Sequence, residues 1–525
     1  MRKPIKITPR SLPAQADVPE GLNATDATAE YAAPDARDAP DAPDSGARFD
    51  DVEEQIGLIS TALGRPDDLV VRRISDGIVC LFISPLVEQG AVRHSLVEPL
   101  NKAGWCELQE KGQAARLLPV SDVSEARSIE AAVDGVAEGE AALIVHGRPT
   151  PYMLDLRRRV VRQISPPISE PSVRGPRDSL TEGLSDNLAL VRQRIRSRNL
   201  RVRELIVGCD TRTRVAVCYF EGKASPEIVD AVVQRLTAID APGVLDSSYL
   251  VAYLAKHTWL LFPPAAATER ADRVCSGILQ GRVAVICDNS PFALVIPIQL
   301  VTSFQANEDH YNLPIHSFLL RTVRVLGWLA ATMAPGLYIG IASFNPGILP
   351  AHAVMTIAAA RQGVPYPPVI EVLIMDIALE MLAEASVRLP TYVGGAATVV
   401  GGLILGTAAA QARLVSNVMI IVVALTAIGS FAIPDYQNQL SWRMVKYLYT
   451  LSAAFLGIIG LTTAGLIILV YACSVDVLGV SFMSPIAPWR WTAMMKDVAM
   501  RVPDPLAVEL VKKQRAEEAE GTADA

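Results

Sequence analysis

The chain has 525 residues, 50% of them hydrophobic and 20% charged, with a formal net charge of −7. That length allows several domains, while a sequence pI near 5.6 and a mean hydropathy of +0.29 exclude the clustered basic face that nucleic-acid binding needs. The seven cysteines include no C-x-x-C pair, so they read as free thiols of a reducing compartment, not as a disulfide framework or zinc site.

The basic start "MRKPIKITPR" leads into no apolar core and does not read as a secretory signal. Residues 1–50 read as a disordered acidic tail: positions 11–50 hold nine acidic groups against two basic ones, with too little apolar surface to offset the entropy of ordering. Residues 51–165 and 201–300 then read as two related α/β modules. In the first, "GIVCLFI" precedes a helical run "VRHSLVEPLNKAG", and "SEARSIEAAVDGVAEGEAALIVHGRP" gives a capped helix followed by a strand. In the second, "RVAVCYF" precedes "SPEIVDAVVQRLTAI", and "TERADRVCSGILQGRVAVICDNSP" repeats the helix, glycine, strand and turn. Short apolar runs bounded by turn residues predict the strands. Between the modules, residues 166–200 read as a connector and a helix. Ser179-Leu180-Thr181-Glu182 has the form of a capping box, and Leu180, Leu184, Leu188, Val191 and Ile195 recur at helical spacing, predicting a helix over 180–195. The arginines of "SEPSVRGPRDSL" fit a structural connector better than an anion site. Asp-Asn-Ser-Pro within "CDNSP" is a turn composition and not a nucleophile motif.

After residue 324 the character changes. Residues 325–360 contain no Asp, Glu, Lys or Arg, residues 391–442 contain only Arg413 and Asp435, and residues 447–475 again contain none. A bilayer core needs about 20 apolar residues per helix, which places spans near 325–344, 393–412, 415–434 and 448–473. The prolines Pro335, Pro346 and Pro350 predict that the first is kinked or ends early. The fold class is therefore two related soluble α/β modules followed by an all-α transmembrane helical bundle, with the helical domain at 301–485 and a C-terminal cytoplasmic tail at 486–525. "VIEVLIMDIALEMLAEASVRL" (369–389) is apolar yet carries Glu371, Asp376, Glu380, Glu384 and Arg388. The last four stand at spacing four, so a helix aligns them on one face that cannot meet lipid. Whether it spans leaves the count at four or five. Basic residues at both ends, Arg321 and Arg324 before and Arg490 and Lys496 after, lean toward an even number.

There is no Walker-type loop, no metal-ligand spacing and no G-x-S-x-G elbow, and the six histidines form no ligand pairs. No enzyme activity, cofactor or metal is expected. Gly394, Thr398, Gly402, Gly406 and Ala410 fall every fourth residue, the spacing that lets helix backbones approach closely. Thr398, Gly402, Leu405, Gly406 and Ala409 are the pore-lining or helix-packing candidates; Glu371, Asp376, Glu380, Glu384 and Arg388 are candidates for a charged vestibule or an intersubunit contact. From the residues alone, an oligomeric cation pore, a transporter and a membrane anchor all stay open.

The passages "EPSVRGPRDSLTEGLSDNLALVRQRI", "GRVAVICDNSPFALVIP", "AAARQGVPYPPVIEVLIMDIALEMLAEASVRLP" and "VGGLILGTAAAQARLVS" resemble the A subunits of GerA-type spore germinant receptors, including the accessory paralogue of the SpoVA group. The match covers about residues 165–440, with looser similarity on either side. The resemblance implies a subunit of the inner spore membrane, with its soluble modules on the cytoplasmic side. It also implies assembly into a homo-oligomer, proposed to be a pentamer, that forms a nutrient-gated ion channel. The implied partners are a transporter-like B subunit and a lipoprotein C subunit. Alternatives are a non-conducting scaffold that assembles the receptor complex, or an accessory germination channel. The triggering nutrient and the ion selectivity are not fixed by the sequence.

Overall fold

The computed structural model describes residues 52–489, except for 76, 102–113, 121, 159–166, 168–169, 171, 173, 256–259 and 389–390. The acidic segment 1–50, Cys106 and most of the segment 486–525 lie outside the described residues. Helix α1 (Val52–Ala62) precedes strands β1 (Leu69–Ser75) and β2 (Ile78–Ile83), a helical run over 89–100, β3 (Val123–Glu125), α2 (Ile129–Glu138), β4 (Ala141–Val145) and β5 (Tyr152–Leu154). Then come α3 (Leu184–Arg194), β6 (Leu200–Val207), β7 (Thr213–Phe220), α4 (Pro226–Thr237), α5 (Ser247–Leu254), β8 (Ala266–Thr268), α6 (Ala271–Leu279), β9 (Val283–Cys287) and β10 (Ala293–Ile296).

The two five-stranded sheets have the orders β1-β2-β4-β5-β3 and β6-β7-β9-β10-β8, and all their strand pairs are antiparallel. One topology is therefore used twice, the physical form of the repeat legible in the sequence. Each sheet also has a leading helix: α1 packs on α2, and α3 packs on α6. Central strands are apolar on both faces because both are covered. Along β9, Val283, Val285 and Cys287 enter one cluster, while Ala284 and Ile286 enter the other with Leu188, Val191 and Ile278, as a side-chain period of two requires. Cys80, Cys218, Cys275 and Cys287 are buried and Cys209 and Cys473 exposed, all as free thiols. Burial pushes the thiols of Cys80, Cys275 and Cys287 up to about 12, so they are inert packing groups.

The predicted capping box does not form. Helix α3 starts four residues later than expected, because Asp288 reaches over from the turn after β9 and accepts a hydrogen bond from Leu184 N at 3.0 Å. Ser179 instead makes a bridge to Arg270. Thr181 and Asn187 close a local loop through Thr181 N to Asn187 Oδ1 at 2.7 Å and Asn187 Nδ2 to Thr181 O at 2.6 Å. The 288–291 segment is the turn that its composition predicts.

The remaining helices are α7 (Pro314–Ile339), α8 (Ala351–Ala360), α9 (Pro368–Arg388), α10 (Thr391–Gln411), α11 (Asn417–Phe431) and α12 (Tyr436–Ser474), ending in a small hairpin of β11 (Asp476–Val477) and β12 (Val480–Ser481). The stretches 314–344 and 436–474 are long and apolar enough to cross a membrane by length and composition. Pro335 sits inside α7, which passes into a π turn at 340–344 and a short 3₁₀ turn at 346–348. The expected early ending thus takes the form of a change of helix type.

Helix α12 is two helices. Gly457 has φ 64° and ψ −140°, a region that side chains with a Cβ rarely enter. The chain doubles back there: the Phe262 ring lies 5.0 Å from the Trp442 ring and 6.1 Å from the Tyr471 ring, two groups that one straight helix would hold roughly 40 Å apart. A methyl on Gly465 would touch the Tyr449 ring at 3.7 Å. The stretch 448–473, expected as one span, is in fact the end of one limb and the whole of a second. The bundle then alternates in direction through α7, α9, α10, α11 and the two limbs of α12. Glycines permit the tight crossings: a methyl on Gly429 would overlap the carbonyl oxygen of Gly327, and one on Gly336 would meet Leu461 Cδ1 at 2.9 Å.

An aromatic cluster joins sheet to bundle. Phe262 stacks on Phe482 at 4.8 Å, Trp328 meets Trp442 edge-on at 4.7 Å, and Phe304 lies 5.2 Å from Trp328. The core under β7 and β9 is therefore continuous with the bundle interior.

Candidate functional site in the helical bundle

Helix α9 opens with Pro368 at its first position, where the missing N–H costs nothing. The first two members of its stripe at spacing four, Asp376 and Glu380, face the first limb of α12, and two basic residues there answer them. Lys446 Nζ lies 3.4 Å from Asp376 Oδ1 and 3.7 Å from Glu380 Oε1, and Arg443 Nη1 lies 3.1 Å from Glu380 Oε2. The Asp376 and Lys446 side chains are 0% and 8% exposed, those of Glu380 and Arg443 32% and 22%. Neither oxygen of Asp376 has a hydrogen-bond partner, and neither does Trp442 Nε1. These groups line a cavity of about 380 Å³ whose wall also includes Thr332, Glu384 and Gly402.

The structure thus brings Asp376, Glu380, Glu384 and Gly402 to one place. It sets the other candidates elsewhere. Glu371 is fully buried further toward the Gly457 turn, where it pairs with Arg361 at 3.2 Å and accepts from Ser416 N at 3.0 Å. The Ser416 and Tyr338 hydroxyls are hydrogen-bonded at 3.1 Å, so Glu371 fixes the start of α11 against α7. Arg388 pairs with Glu384, one turn earlier, on an exposed surface. On α10, Gly402 has Leu382 Cδ2 at 3.8 Å from where its methyl would be, Gly406 has nothing within 4 Å, Leu405 is half-buried and Ala409 is buried. Of Thr398 only the helical backbone is described. Among the described residues of the α10 stripe, Gly402 and Gly406 make no tight contact within the chain; close packing falls on Gly327, Gly336 and Gly429.

Sequence reasoning missed Arg443 and Lys446. Their signal was their position, two basic residues just before an uncharged run, which resembles an ordinary flank.

A second cluster ties the connector to the bundle. Arg270, 1% exposed, donates to Asp272 through two nitrogens at 3.0 and 2.9 Å, to Ser172 Oγ at 2.5 Å and to Pro176 O at 2.9 Å. Arg273 pairs with Glu170 at 2.7 Å and with Asp435, the residue capping α12, at 3.7 Å. Burial pushes the Glu170 carboxyl above the usual carboxylate range, against the opposing pull of Arg273. Burial also acts to raise Asp272, but hydrogen bonds from Arg270 and Tyr311 outweigh it and hold that carboxyl below its ordinary value. Of the stretch 169–184, Glu170 pairs with Arg273 and Asp178 with Arg194, while Arg174 and Arg177 are exposed. Among the described residues no group of three or more His, Cys, Asp or Glu could hold a metal ion.

Two α/β units of one topology, the second joined through an aromatic core to an antiparallel helical bundle with an ion-paired cavity, define the class of protein. The family model described as "Bacillus/Clostridium GerA spore germination protein" matches residues 58–509, and the chain belongs to that family. It is 34% identical over 454 residues to the spore germination protein KA of Bacillus subtilis (strain 168), covering 84% of this chain and 82% of that one. Against the spore germination protein A1 of the same organism it is 30% identical over 438 residues, covering 83% and 90%. Against the spore germination protein GerLA of Bacillus cereus it is 29% identical over 440 residues, covering 82% and 89%. Among solved structures, the N-terminal domain of the A subunit of the Bacillus megaterium spore germinant receptor GerK3 is similar at 25% identity, with a TM-score of 0.35, over 47% of this chain and 94% of that one.

Proposed function

We propose that this chain is the A-type subunit of a spore germinant receptor, that its helical bundle crosses the inner spore membrane, and that it contributes to a nutrient-gated ion path triggering germination. The observation that carries the reading is the Asp376–Lys446 and Glu380–Arg443 cluster around a cavity, within a bundle whose outer surface exposes Leu403, Ile404, Ile421, Phe455, Ile459 and Ile467. Ionisable groups inside a membrane bundle are expensive and mark polar pathways. An even number of helical legs returns the chain to the face it started from, in keeping with basic residues at both ends. We assign that face, with both α/β modules, to the cytoplasm. Residues 51–165 and 201–300 act as separate modules, linked by 166–200 to a membrane domain at 301–485. Helix α10, whose Val399, Val400, Leu403 and Ile404 are exposed and whose Gly406 is open, meets the next copy in a homo-oligomer, a pentamer by family resemblance. Of its candidate positions we place Gly406 at the edge of that contact and, by helical spacing, Thr398, Gly402, Leu405 and Ala409 on the opposite face, toward the chain's own cavity. A transporter-like B subunit and a lipoprotein C subunit complete the receptor.

Ion flux from liposomes holding the oligomeric protein tests the proposal. Gly402→Trp is expected to block or leak ions while assembly survives. An intact oligomer that carries no flux under any stimulus overturns the channel reading and leaves a non-conducting scaffold.

A further inference from the structure

Lys446 is the one lysine between residues 325 and 489, and its surroundings have the parts of a cation site. Its ammonium lies between Asp376 and Glu380 at 3.4 and 3.7 Å, both beyond the 2.7–3.2 Å of a good N–H···O bond. It also sits 4.7 Å from the centre of the Tyr447 ring, within reach of a cation–π attraction. The ammonium is thus held as a charge and not by directed hydrogen bonds. Asp376, 1% exposed, has both oxygens without a hydrogen-bond partner on the cavity wall, and Trp442 Nε1, buried on the same wall, is equally unfilled. Unfilled buried polar atoms beside a cavity of about 380 Å³ call for a polar occupant, and that volume holds an ion with several waters at about 30 Å³ each.

We propose that the Asp376–Glu380 pair is a binding site for a small monovalent cation, and that in this conformation Lys446 fills it with its own ammonium. Charge decides the valence. Arg443 already neutralises one of the two carboxylates, so when the flexible lysine withdraws, a single negative charge is left. Lysine occupancy and cation binding exclude each other, and the tethered ammonium is a built-in competitor. The inference deepens the ion-path reading by naming what the cavity holds, and it rests on that reading for its physiological meaning, but the binding is measured separately.

The test uses the full chain in lipid nanodiscs, comparing Rb⁺ with the bulky N-methyl-D-glucamine cation at equal ionic strength. Rb⁺ is expected to raise the unfolding temperature of Lys446→Met by several degrees, to leave the unsubstituted chain nearly unmoved, and to lose its effect in Lys446→Met/Asp376→Asn. A second measurement needs no substitution: in the unsubstituted chain, an amine-reactive reagent should label Lys446 faster as Rb⁺ rises, since the displaced side chain reaches water. A Lys446→Met response no larger than that of the parent, or its survival in the double variant, overturns the proposal, as does labelling that ignores Rb⁺. If Rb⁺ binds as described while liposomes carry no flux, the channel reading fails and the cation site stands. Flux with a cation-insensitive Lys446→Met chain removes the site alone.

Discussion

The seam between the two α/β units rests on a buried ion pair whose removal has a calculable cost. Arg192 on α3 donates to both oxygens of Asp68, just before β1, at 2.6 and 2.7 Å, and the two side chains are 3% and 1% exposed. Beside them Asp67 accepts from Glu204 N at 2.8 Å and donates its own N–H to Val202 O at 3.2 Å. Taking one member away leaves the other charge buried without its partner, which costs about 3–5 kcal/mol. Replacing both with apolar groups of similar size is often neutral, because the desolvation of both charges is removed together. Asp68→Leu and Arg192→Met singly should each destabilise by about 3–5 kcal/mol, and the pair by far less than the sum. For a cooperative unit of 150–250 residues that corresponds to a fall of roughly 6–20 °C in melting temperature. Calorimetry of the detergent-solubilised chain, following the transition of the α/β part, reads it. Single variants costing under about 1 kcal/mol, or a double variant as damaging as the two singles added, would refute the reasoning.

Three further outcomes follow from other contacts. Gly457→Ala places a methyl 2.7 Å from Phe344 Cβ at a residue with φ 64°; backbone strain alone is worth about 1–3 kcal/mol, so melting should fall by several degrees, and an unchanged melt rejects the reversal between the two limbs of α12. Asp288→Ala removes the side chain that caps α3 through Leu184 N and should cost about 0.5–2 kcal/mol, with faster hydrogen exchange at residues 184–187. Glu170 has its folded pKa raised above 4.5, so the stability it lends is present below that value and is lost as pH climbs through the folded one. Arg273→Met takes away the charge that opposes the rise, so the variant should lose more stability than the parent between pH 4.5 and neutrality. Parallel pH profiles would contradict the assignment.

The strands and the doubled topology were legible because their signals are local: apolar runs such as "RVAVCYF" and "GRVAVIC", bounded by turn residues and buried on both faces. The bundle was legible as uncharged length. What escaped was non-local. The start of α3 is set by Asp288, far along the chain, against a capping box that is valid in isolation. The reversal at Gly457 is a backbone conformation that glycine permits but does not announce among the other glycines of the bundle. Half of the candidate site was visible as the α9 stripe; the answering Arg443 and Lys446 become partners only once the first limb of α12 runs beside α9. The glycine stripe of α10 stood out by regularity, whereas the close crossing of α7 and α11 at Gly327 and Gly429 uses isolated glycines with no periodic signature.

The ring cluster around Phe262 sets an order on biosynthesis. Phe262 is fully buried, yet part of its covering comes from Tyr471 and Phe482, and Leu300 N donates to Phe482 O at 2.8 Å. At translation rates of 5–20 residues per second, those covering groups leave the ribosome on the order of 10–40 s after Phe262. Throughout that interval the second sheet carries an open greasy socket, and it is sealed only when the return limb of α12 comes back to it. The return limb thus works as a closing stopper, and a nascent chain halted before residue 482 shows quality-control machinery an apolar hole that the finished one hides.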